Sequence, residues 1–579
     1  MDKLDMQSKN LVDDNIEKIA RLFPNCITEG KNEEGQVVKL VDFDLLKQEL
    51  SKEIVEGNDE RYMLNWAGKK QAILTANSPI NATLRPCKEE SVGKDGKPGE
   101  FDSQNLYIEG DNLDVLKLLR ETYLGKVKMI YIDPPYNTGN DFVYEDDFAS
   151  STEEYLQASK SYDEQGNRMY QNNNTNGRFH SDWLSMMYTR IRLAKDLLND
   201  DGIIFISIDD NEIDNLKKFC NEIFGEENHQ ATITWRRKRG KDNSTTGFSR
   251  LHEYIVAYSK SNKFSPNRLP MEQTRIDIYS NPDKDPKGPY VLQPAWASGM
   301  KKGPSYSVKL GDFEFDERMW LYAKETLLAA YNDGRLAIKG IHKDGNANVY
   351  LKVYLAENKG IIPDTIWSDA GNTGDAVDEI KILFDETIPF GTPKPLKLIE
   401  RLIRIGCDKN DYILDFFSGS ATTAHAVMQL NAEDGGNRQF IMVQLPENCD
   451  EKSEAYKAGY KNICEIGKER IRRAGKKIKE LNSMDGDILL HRLLNKDKIT
   501  EKDREDFKKT KEYEEFCNNL DTGFRVLKLD SSCMKDVYYS PAEMSQDLLA
   551  RLGDNIKGDR TAEDHSRAGQ TQVLHSPPR

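Results

Sequence analysis

Hydrophobic positions change their period several times along the chain, and each change predicts an element. Residues 1 to about 60 are polar with helical spacing, and LVDFDLLKQEL (Leu40–Leu50) is their clearest amphipathic stretch. KEESVGKDGKPGEFDSQ (88–104) is polar and rich in Gly and Lys, which predicts a loop or linker. NLYIEGDNLDVLKLLRETY then reads as strand, turn and helix, and VKMIYIDPP as the next strand. Residues 157–178 are too polar to pack and predict a mobile loop. SDWLSMMYTRIRLAKDLLND has helical spacing with Ser181 as N-cap. GIIFISIDD reads as a buried strand, NLKKFCNEIFG as a helix, and ATITWRR and HEYIVAYSK as a long hairpin. From about 262 to 386 the pattern becomes irregular, with many Gly, Pro, Asn and Tyr. Alternation returns with TPKPLKLIERLIRIGCDKNDYILDFFSGSATTAHAVMQL and RQFIMVQLPE.

Strands alternating with helices on both sides of an irregular insert predict an α/β fold: one doubly wound, Rossmann-like sheet interrupted by an inserted domain. The expected organisation is a helical region and linker at 1–100, a catalytic half at 101–261, the insert at 262–386, a cofactor-binding half at 387–482 and a C-terminal region at 483–579. Composition narrows the class. A hydrophobic fraction of 37% and a charged fraction of 31% suit a soluble globular protein. No apolar run approaches the ~18–20 residues of a membrane span, and the N-terminus lacks a signal-peptide core. Eight cysteines without a CxxC pair predict neither a disulfide framework nor a zinc site, and a cytoplasmic location. There is no GxxxxGK[ST] phosphate loop.

The formal charge of −15 does not itself suggest nucleic acid, but binding depends on local patches. Arg236, Arg237, Lys238, Arg239 and Lys241 form one such cluster, either a solvated loop or a phosphate contact. KERIRRAGKKIKE, from Lys468, reads as a charged helix face.

The chemistry concentrates in two places. After the strand Met129–Ile132 come Asp133, Pro134, Pro135 and Tyr136. Consecutive prolines fix φ, lack N–H groups and restrict the residue before them, so acid and ring are held stiffly at a strand's carboxyl end. That edge is where open α/β sheets bind ligands; a tight acidic turn is the simpler reading. In YILDFFSGSATTAHAV a strand ends at Asp415, small residues surround Gly419, and a helix follows, an arrangement open to a nucleotide-like cofactor. The strand after that helix ends near Gln444 and Glu447, where such folds place a group for ribose hydroxyls.

Together these pieces resemble S-adenosylmethionine-dependent amino-methyltransferases of DNA. Their order, with Asp-Pro-Pro-Tyr first, the insert next and the cofactor turn last, is that of the β group. NLYIEGDNLDVLK, YIDPPYNTGNDFVYEDDF, NGRFHSDWLSMMY and LDFFSGSATTAHA extend the resemblance to the modification (Mod) subunits of type III restriction–modification systems, over roughly residues 60–560. The resemblance implies an adenine-N6 methyltransferase that flips its target base out of double-stranded DNA. Asp133 and the Pro134 carbonyl would accept hydrogen bonds from the target amine, and Tyr136 would stack on the base. Asp415, Phe417, Gly419 and Thr423 would form the cofactor turn, Thr392, Lys394 and Pro395 would lie beside the methionine moiety, and Asp111 near the adenine. No metal is needed, because the sulfonium is already activated.

The usual ribose acid is replaced by Gln444, so Gln444 or Glu447 is expected to share that task. The turn reads FFSGSA in place of Phe-x-Gly-x-Gly. The insert would be the target-recognition domain, with a homodimer and a separate restriction subunit as expected partners. The terminal HSRAGQTQVLHSPPR departs from the family's apolar continuation, so contacts made there are expected to differ. The competing readings are a cytosine-N4 methyltransferase, a specificity subunit whose own catalysis is dispensable, and an RNA or protein amide methyltransferase.

Overall fold

The computed structural model describes residues 11–22, 26–31, 37–43, 46, 64–139, 142–144, 169–171, 179–240, 247–271, 273–297, 303–341, 347–480 and 505–531. They divide into two compact units, one running to Ser265 and resuming at Asp364, the other Pro266–Pro363.

The larger unit is organised by a ten-stranded sheet. Its strands are β1 (Ala82–Val92), β2 (Leu106–Glu109), β3 (Val127–Ile132), β4 (Leu198–Ile208), β5 (His229–Arg236), β6 (His252–Ser259), β7 (Ile366–Trp367), β8 (Tyr412–Asp415), β9 (Gln439–Gln444) and β10 (Phe524–Ser531). Their spatial order is β7-β5-β6-β4-β3-β8-β9-β2-β10-β1. The run β4-β3-β8-β9-β2-β10 is parallel throughout, while β6 and β1 are antiparallel to their neighbours. The fold is α/β and Rossmann-like.

Alternate residues of the central strands serve opposite faces, as the period of two requires. Ile130, Ile132, Ile204 and Ile206 join the core cluster built with Trp183, Leu184, Met187 and Phe219. Met129, Ile203 and Phe205 close on Gly406 of the helix Leu396–Gly406, where an added Cβ would meet each of them at 3.1–3.2 Å. The helices Asn112–Tyr123, Phe179–Leu197 and Ile213–Phe224 pack together on the first face, and Leu396–Gly406, Thr422–Asp434 and Ile463–Glu480 on the second. From β3 the chain moves to β4 on one side, and from β8 to β9 on the other. The crossover direction therefore reverses between β3 and β8, and a crevice opens between their carboxyl ends. Asp133 follows one of these strands and Asp415 ends the other.

The smaller unit holds an antiparallel sheet of Tyr290–Pro294, Ala347–Tyr354 and Leu336–Ile341, a hairpin of Ser305–Leu310 and Phe313–Met319, and the helix Lys324–Asn332. Its core collects Val308, Leu310, Phe315, Trp320, Leu327 and Val349.

Several expectations change. Ile27–Lys31 and Val37–Val41 pair as a hairpin where a helix was expected; each is only five residues long, and the β-branched Val37, Val38 and Val41 favour it. The expected linker from residue 88 begins inside β1, an edge strand that tolerates Pro86 and its charges because one side is unpaired. In the polar stretch 157–178, Met169–Gln171 pairs with Phe142–Tyr144, and the rest lies outside the described residues. The helix after it starts at Phe179, so Ser181 is inside it rather than its cap. Residues 364–386 fall with the larger unit, contributing β7 and the helix Thr373–Leu383, capped reciprocally by Asn372 and Asp375. β10 carries the C-terminal region into the main sheet. The basic run from Lys468 is only in part a solvated face: Lys468 and Arg470 are buried, with Lys468 paired to Glu90 and Glu109, while Lys476 is exposed.

Candidate active site

The chain leaves β3 as Asp133-Pro134-Pro135-Tyr136, and the turn is braced from beneath. Trp183 Nε1 donates to the Pro135 carbonyl at 2.7 Å. Asn137, in the left-handed region at φ 59°, donates its amide to the buried Glu212 at 2.6 Å. These contacts hold the acid and the ring in one orientation. The Tyr136 hydroxyl donates to Asp133 Oδ1 at 2.9 Å and lies 3.3 Å from Glu253 Oε2. Burial and the neighbouring Asp133 and Glu253 carboxylates push the phenol's pKa well up, so it remains a protonated donor.

The second turn begins at Asp415. Its carboxylate is buried and accepts hydrogen bonds from Thr423 Oγ1 at 2.6 Å and the Phe417 amide at 3.1 Å. Burial dominates those bonds and, with Asp133 nearby, pushes its pKa up to about 7. Gly419 sits at φ 49°, and a Cβ there would stand 3.2 Å from the Phe390 ring. Ala421, in the place of the second glycine of Phe-x-Gly-x-Gly, is also left-handed at φ 61°. The alanine thus adopts the backbone a glycine would accept freely.

Both turns open onto one cavity of about 540 Å³. It is lined by Asp133, Pro134, Pro135, Tyr136, Thr392, Lys394, Asp415, Phe417, Gly419, Thr423 and Glu447, all expected site residues. Asp209, Trp235, Arg237, Glu253, Thr373 and Phe390 line it as well. Lys394 and Arg237 pair with Asp133 and Glu253, and the further acids Asp209 and Glu447 make the cavity favour a cationic guest.

Residues 127–477 match the N6_N4_Mtase family model, described as DNA methylase. The Mod subunit of the type III restriction–modification enzyme StyLTI from Salmonella typhimurium is 35% identical over 477 residues, covering 81% of this chain and 71% of that protein. The chain belongs to this Mod family. The EcoP15I Mod subunit of Escherichia coli is 36% identical over 476 residues, covering 73% of this chain and 70% of that one. A Thermus thermophilus DNA modification methylase solved with S-adenosyl-L-methionine superposes at TM-score 0.29 and 14% identity, over 64% of this chain and 94% of that one.

Within this Mod chain some expected residues do other tasks. Asp111 caps the helix Asn112–Tyr123, accepting from the amides of Leu113 and Asp114, and pairs with the buried Arg190 at 3.2 Å; it does not line the cavity. Gln444 does not line it either: its Oε1 accepts the Gly419 amide at 2.7 Å, which leaves Glu447 as the acid near the turn. Pro395 stands just ahead of the helix Leu396–Gly406 and outside the lining. Lys394, expected beside the methionine moiety, donates to Asp133 Oδ2 at 2.6 Å and to the Tyr136 hydroxyl at 3.1 Å.

The basic cluster also splits. Arg237 turns into the cavity and pairs with Glu253. Arg236 folds back onto the carbonyls of Lys238 and Arg239, and Arg239 pairs with Asp375 at 2.7 Å. Arg236, Lys238 and Arg239 line a separate cavity of about 170 Å³ with Lys397. Lys241 lies outside the described residues.

Glu253 was not anticipated. The signal was an acid inside the apolar strand HEYIVAYSK, directly opposite Trp235 on β5. A buried acid at such a position needs donors, and a cavity can supply them. Among the described residues no helix is long and apolar enough to cross a membrane, and no His/Cys/Asp/Glu cluster suits a metal.

Proposed function

We propose that the chain methylates the exocyclic N6 of adenine in double-stranded DNA, with S-adenosylmethionine as donor. The observation that carries this is the opening of the Asp133–Tyr136 turn and the Asp415–Thr423 turn onto one acidic cavity at a topological switch point.

The residues fit such a donor. The cavity lies within the ~300–1,000 Å³ usual for small-molecule sites, its acids suit a cation, and the close approach of Phe390 to Gly419 leaves little space for a side chain at that position. Asp415, Phe417, Gly419, Thr423, Thr392 and Glu447 would hold it. When bound, S-adenosylmethionine supplies a methyl group already activated as a sulfonium.

The chain's own part is orientation. An aromatic amine is a weak nucleophile because its lone pair is delocalised into the ring. Asp133 and the Pro134 carbonyl accept hydrogen bonds from its N–H groups, which favours a pyramidal nitrogen whose lone pair points along a fixed line. A base in a duplex cannot enter the cavity, so it must be flipped at a cost of a few kcal/mol; stacking on Tyr136 offsets about 1–3 kcal/mol of this. The exposed Arg236, Lys238 and Arg239 neutralise phosphates beside the site.

The unit Pro266–Pro363 is the target-recognition domain in this reading. The chain acts as the modification and specificity subunit, as a homodimer with a separate restriction subunit. Access to DNA and to the donor requires a cytoplasmic location. Tritiated methyl transfer to DNA, RNA and protein, followed by mass spectrometry of the digested product, tests the reading. N6-methyladenine supports it, N4-methylcytosine would reassign the base, and label in RNA or protein alone would overturn it.

A further inference from the structure

Both oxygens of Asp133 are engaged within the protein. Oδ1 accepts the Tyr136 hydroxyl at 2.9 Å, and Oδ2 accepts the Lys394 ammonium at 2.6 Å. Each oxygen keeps a second lone pair, but a target amine, which the proposed function requires Asp133 to orient, must compete with these donors for the carboxylate unless one of them turns to another acceptor. Lys394 is only 12% exposed, and leaving a buried donor unpaired costs about 1–3 kcal/mol, more for a charged one.

Glu253 stands beside both donors. Its side chain is 6% exposed, and Oε2 lies 3.3 Å from the Tyr136 hydroxyl and 4.0 Å from the Lys394 ammonium. A lysine stem needs to move by only ~1 Å to turn the latter into a hydrogen bond. The other oxygen, Oε1, is held by Arg237, so the carboxylate is fixed while Oε2 stays directed at the pair. The neighbouring acid in the cavity, Asp209, is differently placed: both its oxygens accept from Asn211, at 2.9 Å each.

We propose that Glu253 is the positioning residue that releases Asp133 for the target base. It takes over the hydrogen bonds of Lys394 and Tyr136 as Asp133 turns to the amine, and Arg237 fixes its orientation. The role rests on the chain being a DNA amino-methyltransferase and adds a residue outside both the Asp-Pro-Pro-Tyr turn and the cofactor turn.

A double-mutant cycle reads this directly. Single-turnover methyl transfer from saturating tritiated S-adenosylmethionine is measured on unmodified bacterial genomic DNA for the wild type, E253Q, K394M and E253Q/K394M. E253Q should slow transfer about tenfold or more when Lys394 is present, because the lysine stays on Asp133. In the K394M background the same change should cost less than about threefold. Donor affinity by calorimetry should stay within about twofold for E253Q, which separates its role from a general loss of structure. An equal cost of E253Q in both backgrounds would overturn the proposal.

A crystal structure supplies a readout apart from activity, and it decides where K394M transfers too slowly to measure. The complex would contain S-adenosylhomocysteine and an unmodified duplex bearing the site identified by modification-sensitive sequencing. Lys394 or Tyr136 should lie within ~3.2 Å of Glu253 Oε2 while Asp133 holds the amine. Both donors still on Asp133 with the amine bound would refute the role. Methyl transfer by the wild type is read first: its absence would remove the proposed function and this inference together. Transfer with additive substitutions would remove the inference alone.

Discussion

The Gly419 amide donates to Gln444 Oε1 at 2.7 Å. Gln444 ends β9 and Gly419 belongs to the turn after β8, so this one bond ties that turn to the neighbouring strand. It also explains why an amide can stand where a ribose-binding acid was expected: the side chain supports the turn instead of lining the cavity. Gln444→Ala should leave the Gly419 N–H without its partner and lower stability by about 1–3 kcal/mol. Donor affinity should fall with it, because the turn loses its fixed shape. Denaturant unfolding and calorimetry with S-adenosylhomocysteine check both; unchanged unfolding would show that the bond contributes nothing.

Asp415 gives a pH dependence of defined sign. Burial raises its pKa to about 7 from an ordinary 3.8, so in the native protein the ionised form is the disfavoured one. Its stabilising contribution is complete below about pH 4, and is lost as pH rises towards 7. Asp415→Asn keeps an oxygen for the Phe417 amide and turns its NH2 to the Thr423 hydroxyl, which can accept, without the charge. The variant should therefore unfold at higher urea than the wild type at pH 8, and the gap should narrow towards pH 5. A gap that widened on acidification would contradict the assignment.

The two faces of the basic cluster should separate in DNA binding. Arg236, Lys238 and Arg239 are exposed, whereas Arg237 is paired with Glu253 in the cavity. Replacing the exposed three with Ala should weaken binding to all sequences alike. The salt slope should fall by up to ~0.9 for each phosphate that is no longer neutralised. Arg237→Ala should leave the salt slope nearly unchanged and slow methyl transfer. Fluorescence anisotropy over a salt series distinguishes them.

How much of this was legible in the sequence depends on the distance between partners. Asp133-Pro134-Pro135-Tyr136 and the turn from Asp415 announce themselves because each is local: a strand end, then prolines or small residues. The alternation that predicts the central strands is likewise local. What stayed hidden joins residues far apart in the chain. Lys394 reaches Asp133 across 261 positions, and Lys468 finds Glu109 across 359, so a basic run that looks solvated is in fact partly core. β1 and β10 pair with each other at one end of the sheet, and their mixed charges carry no strong strand pattern until that pairing exists. Asp111 carries a second local task that its sequence neighbours also suggest, since it caps the helix Asn112–Tyr123.

Asp133 and Tyr136 separate chemistry from recognition. Asp133→Ala removes the acceptor for the target amine, so methyl transfer should nearly vanish. It also removes the partner of Lys394 and Tyr136, yet Glu253 remains within 4.0 Å of both donors, which keeps the cavity from holding unpaired groups. The variant should therefore fold, bind S-adenosylhomocysteine through the separate Asp415–Thr423 turn, and bind DNA through the exposed basic residues. Tyr136→Phe deletes the hydroxyl that bonds Asp133 but keeps the ring, and should retain substantial activity. Tyr136→Ala removes the stacking surface, worth about 1–3 kcal/mol per base, and should be severely impaired. Its defect should be smallest on substrates whose target base is mismatched, because less energy is then needed to flip it. Methyl transfer, calorimetry and anisotropy on the same preparations give the three readouts. A fully active Asp133→Ala variant would show that the stiff acid at the end of β3 is not part of the chemistry.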